Sequence, residues 1–69
     1  MTVTPIYLRA AGEALYGARW QRPLARDLAV SERTMRYWAA GSSVPGGVAD
    51  DLRRLLTARR IVIDGLLAA

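Results

Sequence analysis

Cysteine and histidine are both absent from this chain of 69 residues. Together the two absences exclude disulfide staples, thiolate nucleophiles and the usual zinc sites. Any enzyme built from it would lack the commonest general base. Its only neighbouring carboxylates, Asp50 and Asp51, are adjacent in sequence and would not face each other on a helix. No glycine-rich phosphate cradle follows a strand, since GSSVPGG at 41–47 is punctuation between elements. The chain therefore reads as a non-enzyme that needs no cofactor and no metal. Long hydrophobic runs are missing too. None approaches the roughly 20 residues that cross a bilayer, and the N-terminus lacks the basic flank and apolar stretch of a signal peptide. A soluble, cytoplasmic protein with no membrane partner is the expectation.

Lysine is the third absence: all ten basic residues are arginine, against six acidic ones, for a net charge of +4. Arginine alone fits the codon usage of a GC-rich genome, whereas the charge itself favours a polyanionic partner. Position says more than count. Between residues 19 and 38, Arg19, Arg22, Arg26, Arg33 and Arg36 are opposed only by Asp27 and Glu32, a local excess of three. A chain this short buries only about 60% of its unfolded surface, so its core is thin and a partner would help to stabilise it.

What is present is helical almost throughout, with no convincing period-two alternation. Thr4 can cap a first helix over about 4–16, with Pro5 at its first position and Val3 and Leu8 placed for a hydrophobic staple. Leu8, Ala11, Gly12 and Leu15 share one face, and Gly17 suits the left-handed residue that ends a helix. A short second helix starts near Gln21 and tolerates Pro23 in its first turn. Leu28, Ala29 and Val30 form a tight turn. Ser31 then caps a third helix to about Ala40, with Val30 and Met35 in staple positions and Gly41 as its stop. A fourth helix covers roughly 48–60, Asp50 and Asp51 complementing its dipole and Leu52, Leu55 and Leu56 forming its apolar face. IVIDGLLAA, at 61–69, could begin as a strand but is favoured as more helix. It holds more apolar side chains than so small a domain can bury, which predicts an exposed patch or a dimer interface.

The third helix separates into two faces. At 100° per residue, Ser31, Met35, Trp38 and Ala39 fall on one side and Arg33, Arg36, Tyr37 and Ala40 on the other, with Glu32 at the border. A charged face is ordinary on an isolated helix. Here a short helix and a tight turn precede it, and that succession is the pattern of a helix-turn-helix, whose second helix enters the major groove of DNA.

From Trp20 to Gly41, WQRPLARDLAVSERTMRYWAAG resembles the helix-turn-helix regulators of the phage repressor and Cro type. The resemblance is carried by Gln21 opening the first motif helix, Leu24 and Ala25 packed inside, Leu28 and Val30 flanking the turn, and Met35 and Trp38 anchoring the second helix. The longer stretch from Ala14, ALYGARWQRPLARDLAVSERTMRYW, looks like small phage and prophage regulators. Two positions depart from the family: Ala29 stands where the turn usually holds glycine, and Ala39 where an acidic residue often follows the anchoring tryptophan. The second departure leaves Arg9 without the partner it would have, free for solvent or phosphate.

The resemblance implies an all-α fold, a compact four- or five-helix bundle in one domain over 1–69, with the motif at about 20–41 and a dimerisation segment at about 48–69. Its implied function is sequence-specific binding of double-stranded DNA as a homodimer on a palindromic operator, as a nucleoid-associated transcriptional regulator, most simply a repressor. Arg33 and Arg36 are the candidates for base reading, because a guanidinium can donate twice to guanine. Glu32 could accept from cytosine, although a pairing with Arg36 one turn on is the plainer role, and Tyr37 could touch a thymine methyl or a phosphate. Gln21, Arg22, Arg19, Ser31, Ser42 and Ser43 are the candidates for phosphate contacts. Leu55, Val62, Ile63, Leu66 and Leu67 are the candidates for the dimer interface, and Asp50 with Arg54 for a surface pair. Two alternatives stand beside this reading. SERTMRYW is similar to the MerR and excisionase group, although that group lacks so long a preceding helix and carries a β-wing. The other is a protein-interaction module, antitoxin-like or adaptor, acting through the apolar C-terminus.

Overall fold

The computed structural model describes residues 3–69. They form four helices and, among the described residues, no strand: α1 (Pro5–Tyr16), α2 (Gln21–Asp27), α3 (Glu32–Ala39) and α4 (Gly47–Ala68). The caps form where the residue types predict them. Thr4 is extended, and its hydroxyl accepts from the Tyr7 N–H at 3.0 Å, while Val3 and Leu8 are both buried in the staple arrangement. Gly17 ends α1 at φ +82°. Ser31 repeats the device at α3, accepting from the Thr34 N–H at 3.0 Å.

Each helix contributes one large, fully buried side chain: Leu8, Leu24, Met35 and Leu52. Around these four pack Val3, Ala11, Leu15, Trp20, Ala25, Trp38, Val48 and Ala49. The apolar faces of α1 and α3 are therefore the ones their spacing predicts. α1 is the hub, packing against each of the other three helices, and α2 also packs on α3, whereas α4 packs on α1 alone. Trp20 was not assigned to the core from sequence. It lies across Gly12, where a Cβ would run into the indole ring, so a glycine on the apolar face of α1 is what lets the α1–α2 connection close down.

The tail settles as helix. α4 continues without a break through residues 61–68, which removes the strand alternative for that segment and makes the helix about 33 Å long at 1.5 Å per residue. The molecule measures 41 × 24 × 20 Å, so α4 is longer than either of its shorter dimensions. Buried residues on α4 stop at Leu52, Leu55 and Leu56 are half-buried against the core, and everything from Thr57 onward is exposed. The last turns of α4 thus project beyond the domain.

Candidate nucleic-acid interface

The turn from α2 to α3 is built around one strained residue. Ala29 has φ +58°, the only non-glycine positive φ among the described residues. Its N–H donates to the Arg26 carbonyl at 3.1 Å, and the Val30 N–H closes onto the Ala25 carbonyl at 2.9 Å. A Cβ in that region costs about 1–2 kcal/mol. The turn forms because what surrounds it over-determines it: Ala25 and Met35 are buried on either side, and Leu28 and Val30 pack against the core.

α3 is held by its inner face and open on its outer one. Met35 and Trp38 are buried, while Arg33 and Arg36 are exposed and Tyr37 is 55% exposed. Neither arginine makes an ion pair or hydrogen bond with any described residue. Two guanidinium groups thus stand three residues apart on one surface of a rigid helix, uncompensated and solvated, with a phenol beside them. Such a surface attracts anions and can donate several hydrogen bonds in a fixed geometry.

Glu32 departs from the expected arrangement. It does not pair with Arg36; it accepts from Nε of Arg22, joining the first turn of α3 to the first turn of α2. Both partners are largely solvent-exposed, so the pair contributes little to stability. Its effect is positional. Because Nε is the donor, both terminal nitrogens of Arg22 remain available, and Arg22 is fixed beside the outer face of α3.

The remaining candidates divide. Arg19 is exposed on the connection before α2, and Gln21 opens that helix, which has no side-chain cap. Ser42 and Ser43 are exposed just past α3, with the Ser42 N–H donating to the Tyr37 carbonyl at 2.9 Å. Ser31 is committed elsewhere: its hydroxyl caps α3 and also donates to Oγ1 of Thr34, so its proton is not free for a phosphate. Arg9 is not free either, since it pairs with Glu13 one turn along α1. On α4 the pair is Asp51 with Arg54, three residues apart, in place of Asp50 with Arg54; both spacings bring helical neighbours together. Leu55 is half-buried in its own core, because it lies one turn beyond Leu52 on the inward face. Of the expected interface residues, Val62, Ile63, Leu66 and Leu67 are exposed.

One polar contact gave no signal in the sequence. The Tyr16 hydroxyl donates to the Asp27 carboxylate, tying the end of α1 to the end of α2. Partial burial, together with this bond to an anion, pushes the Tyr16 pKa up to about 12, an effect that nearby Arg59 opposes. Residues 16 and 27 lie in different helices, so no local spacing marks them. Among the described residues no cluster of acidic side chains could hold a metal ion, and no helix is long and apolar enough to cross a membrane. Compared with family models, curated proteins and solved structures, the chain matches none.

Proposed function

We propose that the chain is a helix-turn-helix regulator that binds duplex DNA sequence-specifically as a homodimer, with α3 as the recognition helix. The observation that carries this reading is the division of α3: Met35 and Trp38 locked inside, Arg33 and Arg36 outside without partners. A helix fixed by its core side and rich in free guanidinium groups on the other is suited to the major groove, where arginine donates twice to O6 and N7 of guanine. Arg22, Arg19 and Gln21 flank it and would hold the phosphate backbone. In a symmetric dimer the two recognition helices would face successive major grooves, about 34 Å apart, on a palindromic site. Repression follows most simply, by occupying a promoter.

Two substitutions separate reading from holding. Arg36→Ala should relax preference at one base position and cost about 1–3 kcal/mol on the preferred sequence only. Arg22→Ala should weaken every sequence alike and lower the salt slope of binding by about one. Binding-site selection from random DNA, followed by titrations on the selected and a scrambled duplex, checks both; equal losses on the two duplexes for both variants would sink the assignment.

A second reading, a protein-interaction module, is favoured by one feature, the exposed apolar end of α4. Salt discriminates the two. Complexes made through arginine–phosphate contacts weaken steeply as salt rises, whereas an apolar contact hardly responds.

A further inference from the structure

Along α1, Pro5, Arg9 and Glu13 recur every four residues and so form one stripe. That stripe lines an open cleft of about 360 Å³ together with Trp20 and Gln21 at the α1–α2 corner and Ala39 of α3. A second hollow, of about 270 Å³, shares Trp20 and Gln21 with the first and adds Arg19 and Arg22. The two adjoin at one corner, so Arg9, Gln21, Arg19 and Arg22 stand around it as a single run of donors. The recognition helix runs beside them. At 100° per residue, Glu32, Arg36 and Ala39 fall on one flank of α3. Glu32 on that flank meets Arg22, and Ala39 lines the cleft with Arg9, which sets the flank carrying Arg36 alongside both.

We infer that this cleft seats a backbone phosphate of the duplex and that Arg9 is its ligand, which carries the interface from α2 and α3 onto α1. This rests on the DNA reading proposed above and adds a residue and an element to it. Arg9 gives its Nε to the Glu13 carboxylate at 2.5 Å, the same arrangement as Arg22 with Glu32. A guanidinium held through Nε keeps both terminal nitrogens, and these form a fork that fits two oxygens of a phosphate. Gln21, whose amide can also donate, lines both hollows. Of α3 only Ala39 lines the cleft, so nothing longer than a methyl closes it from that side. Glu13 balances the charge of Arg9, and Arg19 and Arg36, unpaired among the described residues, supply the net positive charge. Exposed donors in a neutral pair hold a free anion weakly. A phosphate tethered in a duplex that α3 already grips arrives instead at high effective concentration, which selects the backbone of the bound DNA as the occupant.

The test is phosphate-ethylation interference on the selected duplex, read with salt titrations on that duplex and on a scrambled one. For the natural chain, ethylation should interfere at one phosphate in each half-site that Arg9→Ala no longer senses. The variant should bind both duplexes about tenfold more weakly, with a salt slope lower by about one and an unchanged base preference. Arg9 is exposed, so circular dichroism should show the fold intact. Arg60→Ala removes the same charge from α4, outside the cleft, and should leave the interference pattern as it was. Inorganic phosphate at matched ionic strength should compete with the duplex no better than chloride does. Three results overturn the inference: Arg9→Ala keeps the natural affinity and pattern, its loss is confined to the selected duplex, or Arg60→Ala reproduces that loss in full. Free phosphate that displaces the duplex through Arg9 also overturns it, because the cleft would then be a small-anion site. A natural chain that selects no duplex sinks the proposed function and takes this inference with it, so the two failures are told apart.

Discussion

Ala29 is where residue chemistry and backbone demand disagree. A residue with a Cβ at φ +58° carries about 1–2 kcal/mol of steric cost, and glycine would relieve it at the expense of about 0.5–1 kcal/mol of backbone entropy. Ala29→Gly should therefore stabilise the fold by about 0.5–1 kcal/mol, a rise of a few degrees in Tm for a domain of this size, with the α3 side chains undisturbed. Tyr16 yields a pH prediction of definite sign. Its pKa is raised from 10.0 to about 12 in the fold, so the folded state holds the proton more tightly than the unfolded chain does. The contribution is complete below pH 10 and is lost as pH rises from 10 through 12. Urea unfolding midpoints should fall across that window, and Tyr16→Phe should flatten the fall.

At the scale of elements, most of the architecture could be read in the chain. Capping residues, staples and apolar spacing located α1 and α3 to within a residue, because those signals act over one or two turns. Gly17 and Gly41 marked their stops, and both take positive φ. The continuity of α4 was harder to read, since the β-branched Ile61-Val62-Ile63 competes with helical spacing and only the unbroken register with Leu52 decides it. Contacts between elements left no comparable trace. Arg22 with Glu32 and Tyr16 with Asp27 depend on how helices far apart in sequence dock. Arg36, the expected partner of Glu32, was the nearer choice along one helix, but the α2–α3 turn brings Arg22 to the same carboxylate. The Trp20–Gly12 contact falls between the two cases, for the glycine on an otherwise apolar face was a visible clue. Gly12→Ala gains about 1 kcal/mol of helix propensity but drives a Cβ into the indole, and overpacking costs about 1–3 kcal/mol. The expected net effect is a loss of up to about 2 kcal/mol, checked by chemical denaturation, with a shift in tryptophan emission as the α1–α2 corner loosens.

For the whole molecule, the core and the projecting end are separate quantities. Residues 61–69 are all exposed, so truncation after Arg60 removes no buried side chain and should change the stability of a single copy by no more than about 0.5 kcal/mol. If the tail joins two copies, the full chain should melt at a temperature that rises with its concentration, and the truncated chain at one that does not. Differential scanning calorimetry over a concentration series distinguishes them. The candidate DNA surface belongs to other elements, α2 and α3, which pack on each other and on α1.

Because α4 leans on α1 and on no other helix, the proposed recognition helix and the projecting segment share a single structural intermediary. Rewriting the outward side chains of α3 should retune which target is recognised without altering how copies associate, and grafting a different projecting segment onto α4 should do the reverse. If the proposed function holds, such a chain is open to piecewise redesign: its address and its stoichiometry could be edited independently, provided α1 is left alone.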